Sequence, residues 1–150
     1  MIEDHRHLDK LLFNFLNEKD INESRILFQR LRDRFDKHFR IEDEILFPLF
    51  RKYLGVEEDT GLITKRHDEH NSILKLLDML FYFLNTKNSE QFIATGHNFK
   101  KFLSKHQERE DKTEYSLYNN SISISDEEWE KKIKSIYGMS LDEIEKLRRI

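Results

Sequence analysis

The sequence predicts an all-α protein: an up-down-up-down four-helix bundle with a short helical C-terminal tail. Three observations predict it. Apolar residues recur at helical spacing through most of the chain. Gly occurs 4 times and Pro once in 150 residues, well below the ~12 % of average usage, which leaves an all-β fold without its turn residues. Four long amphipathic segments follow one another across short polar breaks, the pattern of a bundle. The length suits one domain with a substantial core.

The first segment runs from about Ile2 to Asn17, with Leu8, Leu12 and Phe15 in step. Asn22 can cap the second, which runs to about Tyr53 and stops near Gly55. Its stripe reads Leu27, Leu31 and Phe35, then Ile45 and Leu49, and Pro48 should kink or loosen the last turns. Asp59 or Thr60 can open the third, which carries Ile63, Ile73, Leu77, Leu80 and Leu84. After a polar break at Asn85 to Asn88, Ser89 opens the fourth, with Phe92, Phe99 and Leu103, fading near Tyr118. Phe13, Phe39, Phe47, Phe81 and Phe102 read as packing residues. Residues 1–118 thus form the bundle, and residues 119–150 a linker and short helical extension. Within that extension Asn119 to Ser125 lacks a helical period. Ser125 with Glu128 and Ser140 with Glu143 are capping boxes. They open helices at about Asp126 to Tyr137 and Leu141 to Arg149, separated by Gly138, the first with Trp129, Ile133 and Ile136 on one face.

Composition excludes several classes. With no Cys, thiolate zinc sites, Fe–S clusters and disulfides are ruled out. A net charge of −3 gives no footprint for nucleic acid. The longest apolar runs fall far short of the ~18 residues of a membrane span, and the acids at Glu3 and Asp4 do not resemble a secretory signal. A cytoplasmic protein is expected.

The informative residues are polar ones in apolar phases. In the second segment the steps of three and four continue from Phe35 through His38 and Glu42 to Ile45. In the fourth they continue from Leu103 through His106 and Glu110, with Leu117 seven residues further on. His5 is in step with Leu8 and Leu12, and His70 with Ile73 and Leu77. Each helix therefore points one His at the axis, and two add a Glu one turn later. Burying such groups unpaired costs roughly 1–3 kcal/mol each, more for a carboxylate, against a net stability of about 5–15 kcal/mol. A pair of divalent cations compensates directly. The donors suit Fe, Mn or Zn, and a spacing of four lets both members of His38/Glu42 and of His106/Glu110 reach one point. The expected metal ligands are His5, His38, Glu42, His70, His106 and Glu110. No catalytic residue is singled out. The Glu-x-x-His of ferritin-type bundles and the His-Glu-x-x-His of zincins are absent. His7 and His97 are expected at the surface. His67 is either a partner to a ligand or an additional ligand.

Glu3-Asp4-His5-Arg6-His7-Leu8, His38-Phe39-Arg40-Ile41-Glu42-Asp43-Glu44-Ile45-Leu46-Phe47-Pro48, Asp68-Glu69-His70 and His106-Gln107-Glu108-Arg109-Glu110 together resemble the hemerythrin-like (HHE cation-binding) family over about residues 1–118. The resemblance implies a four-helix bundle around two iron ions, oxo-bridged (Fe–O–Fe) or hydroxo-bridged, with Mn or Zn substitution possible. The oxygen carriers of that family have His-x-x-x-His in the third helix, whereas Leu74 stands four after His70. They also end on an Asp five residues after the last His, here Asp111, so Glu110 is the first choice and Asp111 the reserve. The missing imidazole is expected to leave one metal incompletely coordinated, open to O2 or NO. Iron handling, Fe–S-centre repair or NO- or peroxide-reactive chemistry at the same site is the alternative, with a redox or iron-acceptor partner protein. A metal-free helical interaction module is the rival from another class. A monomer or homodimer is expected.

Overall fold

A computed structural model describes residues 2–54, 61–112 and 126–138, and all the elements in them are helical. The helices are α1 (Ile2–Asn17), α2 (Ile21–Ile41), a π-helical turn (Glu42–Leu46), α3 (Phe47–Leu54), α4 (Leu62–Asn85), α5 (Ser89–Lys112) and α6 (Asp126–Tyr137). The long helices neighbour one another in sequence order, α1 on α2, α2 on α4 and α4 on α5, and α5 returns to α1.

The chain chooses its helix ends by local hydrogen bonding. The cap of α2 is Asp20, not Asn22: its carboxylate accepts from the Asn22 and Glu23 amides at 2.8 and 3.0 Å. Asn88 caps α5, accepting from the Gln91 amide at 3.2 Å. At the end of α4, Lys87 takes a left-handed φ of 56°. The Asn88 amide then reaches back to the Phe83 carbonyl at 2.9 Å, closing the helix in the way glycine usually does. The Asp59/Thr60 cap, the ends near Gly55 and Tyr118, the Asn119–Ser125 linker, the Ser125 and Ser140 capping boxes and the helix at Leu141 to Arg149 lie outside the described residues. So do the side chains of Ile63, Trp129 and Ile133.

Pro48 acts one turn earlier than expected. Without an amide proton it cannot continue the α-ladder. The Phe47 amide bonds instead to the Glu42 carbonyl, five residues back, the widened register of a π-turn. The wider turn buries Ile45, Leu46 and Phe47 in succession, which no α-helical stripe would do.

The core runs along the bundle axis from Phe15, Phe28 and Leu80 through Leu31, Leu77 and Phe99 to Phe35 and Phe39. The Phe28 and Phe81 rings stack with centroids 4.1 Å apart, and Phe15 lies edge-on to Phe92 at 5.7 Å. Phe13 is a correction: it is 60 % exposed, because it lies about 100° round the helix from Leu12. Gly96 lets α1 and α5 approach closely, since a Cβ there would come within 3.2 Å of Leu16. The tail helix α6 packs on α2 and buries Ile136. Among the described residues no helix is long and apolar enough to cross a membrane.

Candidate metal centre

Beyond Phe39 the apolar core gives way to a buried polar one. It is built from the early turns of α1 and α4 and the late turns of α2 and α5. His5, His38, Glu42, His70, His106 and Glu110 all meet there, each less than 5 % exposed and both Glu fully enclosed. Their donor atoms fall into two groups: His5, His38, Glu42 and Glu110 form one, and Glu42, His70, His106 and Glu110 form the other. Within each, the atoms lie within 4.8 Å of one another, the span of ligands around an ion with metal–ligand distances of about 2.0–2.2 Å. The two carboxylates belong to both groups. Each group has two imidazoles, an even division. His70 and His106 supply one side, His5 and His38 the other.

The imidazoles are oriented from behind. His38 Nδ1 donates to Asp4 at 2.8 Å, His5 Nδ1 to Asp111 at 3.1 Å, and His106 Nδ1 to Glu69 at 2.5 Å. The fourth, His70 Nδ1, faces Asp43 at 3.2 Å. A proton held on Nδ1 leaves the Nε2 lone pair pointing inward, the tautomer a metal requires. These four carboxylates form a cycle. Asp4 on α1 serves α2, Asp43 on the π-turn faces α4, Glu69 on α4 serves α5, and Asp111 on α5 serves α1. Asp111, the reserve ligand, thus backs His5 and lies outside both groups. Glu69 is further held by Arg109 at 2.6 Å and by the buried Arg66 at 3.3 Å.

The Nε2 atoms converge. His38 Nε2 lies 3.0 Å and His70 Nε2 2.8 Å from Glu42, His106 Nε2 lies 2.6 Å from Glu110, and the His5 and His38 Nε2 atoms are 3.2 Å apart. Despite these distances, His70 Nε2 and His106 Nε2 make no hydrogen bond. His5 and His38 share one hydrogen bond between their Nε2 atoms, while the Nε2 atoms of His70 and His106 stand against carboxylates without hydrogen-bond geometry. Buried nitrogens left so call for a further partner, and with the carboxylates beside them the donors fit a metal pair.

Without metal, protons take part of that role. Burial alone would lower His38, but Glu42 and Asp4 raise it to about 9. Burial and the neighbouring His38 lower His5 to about 3. Burial likewise lowers His106, while for His70 the Asp43 and Glu42 carboxylates outweigh burial and raise it. Burial opposes ionisation of Glu42, yet His38 and His70 hold its carboxyl well below the ordinary range.

Other histidines lie elsewhere. His97 is exposed, and His7, expected at the surface, is half-buried. His67 is outside the two main groups and sits 3.0 Å from Asp43. Asp4 and Glu69 were not singled out from the sequence. The available signal is that each backing acid adjoins a ligand residue in the chain, but it serves a different helix.

Neither the curated proteins nor the solved structures yield a match to this chain. The family model of the Hemerythrin HHE cation binding domain matches residues 1–118, most of the chain and every helix that contributes to the buried centre, and the chain belongs to that family.

Proposed function

We propose that the protein is a non-haem di-iron protein that binds or senses O2 or NO. The observation that carries this reading is the buried set of four inward-facing imidazoles and two shared carboxylates. Two ferrous ions held there would supply electrons and open coordination positions to a diatomic ligand.

In this reading His5 and His38 would hold one ion and His70 and His106 the other, with the Glu42 and Glu110 carboxylates within reach of both groups. Asp4, Asp111 and Glu69 keep each Nδ1 proton in place, so that the imidazoles enter as neutral donors of fixed orientation. Phe39 and Phe47 exclude water: the Phe39 ring stacks on His70 at 4.0 Å, and Phe47 lies parallel at 6.0 Å. His38 gives up its proton as a cation enters. Residues 1–118 make up the bundle in up-down-up-down order, and 119–150 an extension.

The test is anaerobic loading with iron, metal analysis by mass spectrometry, and the absorption of the bridged ferric centre. Two irons per chain are expected, and exposure to O2 or NO should change the spectrum reversibly. Fewer than one tightly bound metal per chain would count against the reading. His70→Ala and Glu42→Ala should abolish the thermal stabilisation conferred by metal, whereas a metal-free interaction module would tolerate both. A second reading, iron donation to damaged Fe–S centres, draws on the even donor set, in which neither ion has a third imidazole. Iron release to an apo-cluster acceptor protein separates it from ligand sensing.

A further inference from the structure

One imidazole of the four is backed differently. His5, His38 and His106 each donate a hydrogen bond from Nδ1 to a carboxylate. His70 Nδ1 is buried, 3.2 Å from Asp43 Oδ1, and makes no hydrogen bond. Asp43 Oδ1 is equally buried and also makes none, although His67 Nδ1 lies 3.0 Å away. Three donor atoms therefore crowd one point without satisfying one another. They lie within 4.8 Å, the same span as in the buried groups.

We propose that Asp43, His67 and the Nδ1 of His70 form an outer site for a divalent transition cation, through which ions reach the buried centre; this rests on the metal-binding reading above. Two imidazole nitrogens and one carboxylate oxygen select borderline cations such as Fe²⁺, Co²⁺ or Zn²⁺ over Ca²⁺ or Mg²⁺, which need more oxygen ligands. Three protein donors leave a position for water, as in open metal sites.

Its position suits entry. The side chains of the inner six are at most 5 % exposed, whereas those of Asp43 and His67 are 31 % and 38 % exposed. The π-turn sets Glu42 and Asp43 on opposite sides of the His70 ring, which Phe39 and Phe47 hold in plane. One nitrogen of that ring thus faces the part-exposed Asp43 and His67 side chains, and the other faces the buried centre. An ion bound outside is one imidazole away from its destination; binding it sends the Nδ1 proton of His70 to water, which leaves a neutral ring where Nε2 still carries a proton and an imidazolate between two cations where Nε2 already holds an ion.

The experiment titrates metal-free, full-length protein with Co²⁺ under anaerobic conditions and follows uptake by equilibrium absorption and stopped flow. The wild type should take two tight equivalents and a weaker third. His67→Ala should take only two and fill them about tenfold more slowly or worse, with an unchanged metal-free circular dichroism spectrum and melt. A wild type that saturates at two equivalents, or a His67→Ala variant that loads at the wild-type rate, overturns the outer site and leaves the buried centre standing. No Co²⁺ uptake by either protein overturns both.

Discussion

Replacing Glu69 by Gln keeps the shape of the group behind His106 and removes its charge. Three partners feel the loss: His106 Nδ1 at 2.5 Å, Arg109 at 2.6 Å and Arg66 at 3.3 Å. A hydrogen bond to a charged group contributes about 1.5–3 kcal/mol and a neutral one about 0.5–1.5, so the His106 contact alone weakens by about 1 kcal/mol. The Gln amide must also turn a donor toward one guanidinium. Arg66 is 4 % exposed at its side chain and cannot turn to water, which adds roughly 1–3 kcal/mol. Metal-free Glu69→Gln should therefore lose about 2–4 kcal/mol in urea unfolding. Metal affinity should fall about 10–100-fold, as when such backing groups are removed elsewhere. Arg109→Ala serves as the control: that side chain is 41 % exposed, and its loss should cost about 1 kcal/mol or less. The assays are urea melts and competitive metal titration. A Glu69→Gln protein as stable as wild type and with undiminished affinity would refute the argument that carboxylates behind the imidazoles hold them in register.

Three further outcomes are expected. Metal-free stability should peak near pH 6.5. His5 and His106 are lowered on folding, so their contribution falls as pH drops below their ordinary value. His38 and His70 are raised, so theirs is lost as pH climbs through the folded value, about 9 for His38. Bound metal should abolish the alkaline decline, and calorimetry at pH 7 in buffers of different ionisation enthalpy should detect at least one released proton per chain. Phe35→Ala, at a fully buried core position, should cost about 3–5 kcal/mol in urea unfolding, while Phe13→Ser at the surface should stay within about 0.5 kcal/mol. Lys87→Gly should stabilise by about 0.5–1 kcal/mol, read as a rise in melting temperature, because Lys87 holds a left-handed φ that glycine adopts without strain.

The helices and the six inner residues were legible because both are written in phase. A His or Glu in an apolar stripe must point where the stripe points, and His38, Glu42, His106 and Glu110 do. What acts between helices was not legible. Asp4 lies beside His5 in the chain but backs His38, and Glu69 lies beside His70 but backs His106. Only the relative rotation of neighbouring helices decides that, and no single stripe records it. The even division of imidazoles has the same origin. The π-turn was half legible: Pro48 announces a broken ladder, but not whether the chain kinks or widens. Phe13 misled because aromatic character was read without its phase.

The cycle of backing acids has a bearing on how the molecule could be divided. A cut within residues 55–60 separates two helical hairpins, one carrying His5, His38 and Glu42, the other His70, His106 and Glu110. The Asp4–His38 and Glu69–His106 links stay within a hairpin, whereas Asp43–His70 and Asp111–His5 cross between the two. Neither fragment alone owns a whole donor group, so each group is complete only when both are present. Fused to complementing reporter halves, the two fragments would make a switch whose reassembly reads out available metal.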